Sequence, residues 1–271
     1  MSPTTATPTT GHAPVRDDAP VLRLDDLRVA RADDDHELVH GVSLALRPGE
    51  TLGIVGESGS GKSLTLRAVM DILPPTLRAT GTVERTGRAA MIFQEPATAL
   101  NPTMRVGDLV AGTWRRHHPG TSRRDARRAT VELLDSVGID RAAERVRAWP
   151  HELSGGMRQR VVIAAALSVD PDVLLCDEPT TALDVRVQAQ ILDLLRALVT
   201  ERGTAMAFVS HDLAVVASVC ERIAVMRLGD VVESGTTRAV LADPQHPYTR
   251  ELLAANLARR LATREVEEVS R

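Results

Sequence analysis

One glycine-rich run constrains this chain more than any other feature: Gly56-Glu57-Ser58-Gly59-Ser60-Gly61-Lys62-Ser63. It follows directly on the continuous apolar run Thr51 to Val55 and precedes a stretch of helical periodicity, Leu64 to Leu73, that stops at Pro74-Pro75. A short run that is apolar at every position reads as a strand buried on both faces. Strand, glycine loop and helix in that order match G-x-x-x-x-G-K-[ST], in which loop amides and a helix start face phosphate oxygens. The basic residues sharpen the point. The chain holds 32 arginines and a single lysine, and that lysine is Lys62. Guanidinium is a wide planar fork, whereas ammonium is a compact point charge. A position that keeps the ammonium is a tight pocket for phosphate. Gly56 through Leu64 are the candidate nucleotide-binding residues, with Lys62 expected to bridge β- and γ-phosphates and the Ser63 hydroxyl to bind Mg²⁺.

Composition excludes several classes. The formal charge of −3 gives no footing for a nucleic-acid partner or a charged membrane surface. Arg115-Arg116 and Arg123-Arg124 read as a solvated face instead. Cys176 and Cys220 lie far apart in apolar runs, which fits buried free thiols and neither a disulfide framework nor a metal site. No stretch reaches the ~18 apolar residues of a membrane span. The N-terminus lacks the basic and apolar segments of a signal peptide. A soluble, cytoplasmic protein is expected, able to be peripheral to a membrane through a partner.

Residues 1–20, rich in Thr, Pro and Ala, read as a disordered tail. Val21 to Val29 alternates apolar and polar, Asp33-Asp34-Asp35 suits a solvated hairpin loop, and Val42 to Leu46 resumes the alternation before the turn at Pro48-Gly49. Buried-strand runs then recur at Ala89–Phe93, Val173–Cys176, Ala205–Val209 and Ile223–Met226, with helical stretches at Ser154–Ser168 and Val187–Leu198. Strands alternating with helices predict an α/β fold with a mostly parallel sheet. Val106 to about Trp149 carries no strand-like run and reads as a helical insertion.

Two further motifs carry chemistry. Val173-Leu174-Leu175-Cys176 ends in Asp177-Glu178, two carboxylates at the end of a buried strand, where open α/β sheets bind ligands. Adjacent carboxylates repel unless a cation or proton intervenes. Asp177 suits Mg²⁺ and Glu178 suits a general base that polarises the attacking water. Leu153-Ser154-Gly155-Gly156-Met157-Arg158-Gln159-Arg160 opens a helix with Ser154 as N-cap. Two glycines just inside a helix start cost stability and make sense if something approaches the backbone closely. This second anion-ready helix start predicts a two-chain sandwich in which it faces the γ-phosphate held by another subunit.

Together these motifs resemble the ATP-binding subunit of ATP-binding-cassette (ABC) transporters, from about Val21 to Leu253, with residues 254–271 as a C-terminal extension. The resemblance implies a P-loop NTPase core with a mostly parallel sheet, an N-terminal antiparallel β subdomain and a helical signature-motif subdomain over about 103–168. It implies ATP and Mg²⁺. Gln94 corresponds to the Q-loop glutamine that touches Mg²⁺ and the attacking water, and His211 to the switch histidine at the γ-phosphate. Ser154, Gly155, Gly156 and Gln159 correspond to the signature that completes a partner's site, and Asp184 to the loop that crosses between subunits. Phe93-Gln94-Glu95-Pro96, Leu100-Asn101-Pro102, Asp177-Glu178-Pro179-Thr180-Thr181-Ala182-Leu183-Asp184-Val185 and Pro244-Gln245-His246-Pro247-Tyr248-Thr249 resemble the oligopeptide/dipeptide importers, a group that includes nickel importers. The partners implied are a second ATP-binding subunit (a paralogue, otherwise a copy of this chain), two membrane permease subunits and, indirectly, an extracellular solute-binding protein. The place implied is the cytoplasmic face of the membrane, with Glu95–Met104 near the permease.

Three departures from that family stand out. No aromatic residue lies near Val29–Arg31 to stack on adenine, which leaves either Arg31 to stack its guanidinium there or a loosely held base. The segment between Gly81 and Ala90 is short, as if a hairpin were trimmed, and the cysteine-rich tail of many relatives is not expected here. A metal-chelate importer and a soluble non-transport ABC protein are the alternatives. A single phosphate loop and a short insertion weigh against the second.

Overall fold

The strand ahead of the glycine loop is central. β3 (Thr51–Val55) is buried at every residue and lies between two parallel neighbours, β7 (Ala205–Ser210) and β8 (Arg222–Arg227). The computed structural model describes residues 19–95, 99–181 and 183–257. The expected tail at residues 1–18, residues 258–271 of the C-terminal extension, and Pro96 and Ala182 of the quoted motifs lie outside the described residues. With β5 (Ala89–Ile92), β6 (Val173–Asp177) and β9 (Asp230–Thr236), β3 belongs to a six-stranded sheet ordered β5-β6-β7-β3-β8-β9. Every neighbouring pair is parallel except β8 and β9. Strand side chains alternate between two cores. Leu52, Ile54, Leu175, Ala207 and Val209 face one, and Val55, Leu174, Cys176, Met206 and Phe208 face the other.

Over the first core lies a three-stranded antiparallel sheet ordered β2-β1-β4, made by β1 (Leu22–Arg31), β2 (Glu37–Leu46) and β4 (Leu77–Arg85). The alternation in β1 is real: Leu22, Leu24, Leu27 and Val29 are buried beneath it. The acidic hairpin loop between β1 and β2 is exposed. β4 is a strand that the sequence pattern does not announce, because it is exposed along almost its whole length and has no apolar face. Its backbone ladder to β1 holds it, and three residues link it to β5, so β4 forms the edge of the small sheet.

The second core is covered by helices. α2 (Val106–His117), α3 (Arg123–Ser136) and α4 (Ala142–Arg145) make up the expected insertion, and α5 (Gly155–Leu167) follows, N-capped by Ser154. α6 (Val185–Arg202), α7 (Leu213–Val219), α8 (Thr237–Ala242) and a helical segment over residues 247–257 complete this side. Cys176 and Cys220 are buried free thiols, and burial pushes Cys176 well above the ordinary thiol value and Cys220 up to about 12. Among the described residues no helix is long and apolar enough to cross a membrane.

The helix after the glycine loop is shifted from expectation. α1 spans Lys62–Val69 instead of Leu64–Leu73. Gly61, at φ 100°, turns the chain straight into the helix, a conformation open to glycine at little cost. Asp71, at φ 56°, stops it before Leu73.

Candidate functional site

The glycine loop closes on its own lysine. Lys62 Nζ donates to the Gly56 carbonyl at 2.8 Å, the Glu57 carbonyl at 2.7 Å and the Ser60 hydroxyl at 3.3 Å. The side chain is only 5 % exposed. Burial pulls its pKa below the ordinary lysine value, while Glu178, Asp177 and Glu57 pull the other way and favour the cation. Past Lys62, the first turn of α1 leaves the N–H groups of Lys62, Ser63 and Leu64 without intrahelical acceptors, so a positive helix end faces the loop.

Two sites far apart in sequence meet at this helix start. Ser63 Oγ donates to Asp177 Oδ1 at 2.7 Å, which joins the loop to the end of β6. Asp177 is 1 % exposed, and burial raises its pKa against the opposing Ser63 hydrogen bond. A buried carboxylate held above its ordinary value, touching a hydroxyl, is a hard-oxygen pair that a divalent cation would relieve. Among the described residues no group of three or more His, Cys, Asp or Glu forms a metal cage. Mg²⁺ takes one or two protein oxygens and fills its shell with substrate phosphates and water, and the Ser63–Asp177 pair offers such oxygens.

The next residue gathers the expected catalytic groups. Glu178 Oε2 accepts from Thr181 Oγ1 at 2.8 Å and from Gln94 Nε2 at 3.4 Å, and His211 Nδ1 lies 3.2 Å away. A carboxylate only accepts, so His211 carries its proton on Nδ1. Glu178 adopts φ 47°, the left-handed region that a residue with a Cβ rarely visits. Such a backbone costs about 1–3 kcal/mol and concentrates at functional sites. Its N–H donates to the Val209 carbonyl at 3.1 Å, which holds the turn against β7. The sequence pattern does not single out Thr181, because a hydroxyl three residues from a carboxylate is too common an arrangement.

The second helix start is separate from these groups. Ser154 Oγ accepts from Met157 N–H at 3.3 Å, and Ser154 and Gly155 are exposed. The two glycines prove different. A Cβ on Gly155 would have Leu183 Cδ2 as its nearest neighbour, 3.9 Å away, but one on Gly156 would lie 2.6 Å from Val187 Cγ1. Gly156 therefore has a packing reason, the close passage of α6, that the expectation of an approaching ligand does not cover. Gln159 does not join the exposed surface: it is 1 % exposed with Nε2 unpaired. Position 159 lies on the buried side of α5. Asp184 N-caps α6, accepting from Val187 N–H at 2.9 Å, and beside it Val185 is 74 % exposed. Arg31, at the end of β1, is exposed and paired with Asp34 at 3.5 Å. A cavity of about 490 Å³ in the helical layer, lined in part by Arg105, Asp108, Arg127 and Arg147, shares no residue with the phosphate site.

Comparison with known proteins places this geometry. The profile of the family described as ABC transporter matches residues 39–181. The oligopeptide transport ATP-binding protein OppD of Bacillus subtilis (strain 168) is 46 % identical over 238 residues, covering 81 % of this chain and 66 % of the relative. A Brucella abortus (strain 2308) protein whose name describes peptide import ATP binding is 45 % identical over 260 residues, covering 86 % of this chain and 77 % of that one. Among solved structures, the dimeric bacterial ABC transporter cassette MJ0796 superposes with a TM-score of 0.69 at 26 % identity, covering 80 % of this chain and 99 % of the cassette. The same cassette in a post-hydrolysis dimer with ADP and Pi gives 0.68.

Proposed function

The chain belongs to the ABC transporter family and is an ATPase, and from that premise we propose that it is the ATP-hydrolysing subunit of an importer for oligopeptides or dipeptides. The observation that carries the catalytic assignment is the convergence of Gln94, Thr181 and His211 on one oxygen of Glu178. Peptide cargo is supported by 45–46 % identity to relatives named for peptide import.

In this reading the loop from Gly56 to Ser63 and the start of α1 hold the phosphates of ATP, and Lys62 supplies the point charge between them. Ser63, Asp177 and Gln94 would hold Mg²⁺, which screens phosphate charge when bound. Glu178 orients the attacking water and draws off its proton. Thr181 and Gln94 fix the Glu178 carboxylate, and His211, whose ring lies beside it, contacts the γ-phosphate. Ser154 and Gly155 complete the site of a second ATP-binding subunit, a paralogue or a copy, and the exposed Asp184-Val185 corner lines the seam. The pair works beneath two permease subunits at the cytoplasmic face of the membrane, served by an extracellular solute-binding protein, and nucleic acid has no part. Arg31 remains the candidate to stack on adenine once freed from Asp34.

Glu178→Gln tests this reading. The variant should bind ATP with wild-type affinity, lose about 10²–10⁴ in hydrolysis, and fail to restore uptake of a labelled tripeptide in cells lacking this chain. Near-normal turnover refutes the catalytic assignment. Normal peptide uptake in the deleted cells refutes the cargo.

A further inference from the structure

The phosphate loop is braced from behind by parts of the chain that the reaction itself does not use. Glu57, its second residue, donates its N–H to Tyr248 Oη at 3.0 Å, across 191 positions of sequence. The carbonyl of that same peptide, from Gly56, accepts from Lys62 Nζ at 2.8 Å, and the Glu57 carbonyl beyond it accepts at 2.7 Å. Tyr248 is therefore one residue removed from the ammonium that binds phosphate. It is the single tyrosine of the chain and is 2 % exposed.

The ring is held from several directions. Arg227, at the end of β8, lays its guanidinium over the ring face, 4.8 Å from the centroid. Glu233 on β9 accepts from the N–H groups of Gln245 and His246 at 2.8 and 3.0 Å, and His246 Nδ1 accepts from Tyr248 N–H at 3.2 Å. The turn after Arg227 also grips the loop, since Gly229 N–H donates to the Ser60 carbonyl at 3.1 Å. Gly56 passes so close to β8 that a Cβ there would lie 2.1 Å from the Met226 carbonyl oxygen.

We infer that Tyr248 is a positioning residue of the phosphate site: its phenol oxygen fixes the Gly56–Glu57 peptide, and through the Gly56 carbonyl of that peptide it sets where the Lys62 ammonium stands. This rests on the reading of the glycine loop as the ATP site. The Gly56–Glu57 peptide is planar, so anchoring its N–H keeps the Gly56 carbonyl from swinging freely, and phosphate binding depends on where Lys62 is held. Without the hydroxyl the Glu57 N–H has no acceptor, and the loop reorders to find one. The last helical segment thereby enters the active site without touching substrate.

Tyr248→Phe in the full chain is the test, because it keeps the ring and its contact with Arg227. One hydrogen bond to a neutral group corresponds to roughly a three- to tenfold change in an equilibrium constant. The dissociation constant for a fluorescent ATP analogue and the KM for ATP should both rise by about that factor, with kcat within about twofold and the melting temperature within roughly 2 °C. Unchanged ATP affinity and KM overturn the inference, including the case in which only the melting temperature falls, since the contact would then serve stability alone. Lys62→Ala, measured in parallel, separates the two layers. If it still binds the analogue normally, the ATP-site reading fails; if it loses binding while Tyr248→Phe stays at wild type, only the positioning role fails.

Discussion

Lys62 shows what a residue must satisfy at this site. Three acceptors surround its ammonium, at 2.7, 2.8 and 3.3 Å, in a space that leaves it 5 % exposed. A guanidinium keeps the charge but is planar, longer and unable to converge three donors on one point. Lys62→Arg should therefore weaken ATP binding by about tenfold or more, a cost on the order of 1.4 kcal/mol, as read by titration with labelled ATP. Wild-type affinity in that variant would mean that the pocket accepts charge alone. Ser63, Asp177 and Glu178 were legible from type and position, Gln94 and His211 from the family resemblance, and all come together around the loop. Tyr248 and Thr181 were not, because their roles are contacts. No local pattern tells that a phenol will reach the Glu57 amide 191 positions away.

At the scale of elements, burial decided what could be read. β3, β6 and β7 are buried at every residue, so their sequences run apolar without interruption and stand out. β4 is exposed almost throughout and β9 is only half-buried, so both are strands by pairing and carry no pattern. Helix ends shifted wherever the backbone took a left-handed turn, as at Gly61 and Asp71 around α1. The start of α5 makes the sharpest test. Gly155→Ala has room for its methyl and should leave the stability within roughly 0.5 kcal/mol of wild type, while lowering ATP-driven dimerisation. Gly156→Ala pushes a methyl onto Val187 and should destabilise by about 1–3 kcal/mol, with Val187→Ala in the same chain restoring much of the loss. Thermal melts and sedimentation of the three variants with ATP distinguish the roles. Equal destabilisation by both single variants would contradict them.

Over the whole molecule, the small antiparallel sheet and the large sheet are pinned together beside the phosphate loop. His40 on β2 places Nδ1 3.1 Å from Asp230 and Nε2 3.2 Å from the Glu37 carbonyl, so a protonated ring satisfies both acceptors. The Asp230 hydrogen bond is the main cause that raises the His40 pKa above 6.5, helped by the Glu37 carbonyl and the Asp230 and Glu37 charges, with burial opposing. A raised imidazole stabilises the fold fully below its unfolded value of 6.5 and ceases to do so as pH rises through the folded value. The melting temperature of wild type should therefore exceed that of His40→Asn most at about pH 5.5, with the gap closing as pH rises towards about 8.5. A gap that is flat across that range would remove His40 from the account.

The order of residues alone identifies a parallel α/β domain around a phosphate loop and singles out the loop and the two carboxylates, while the histidine follows from the family resemblance. These are properties of short segments: a buried strand must be apolar, a phosphate cradle must be glycine-rich, and Lys62 was conspicuous as the lone survivor among arginines. The packing of the folded chain sets Glu178 at a left-handed backbone position with Gln94, Thr181 and His211 on one oxygen, and Gly156 against Val187. Only it decided that Tyr248 braces Glu57. Those facts depend on distances between segments remote in the chain, and local composition carries no record of such distances.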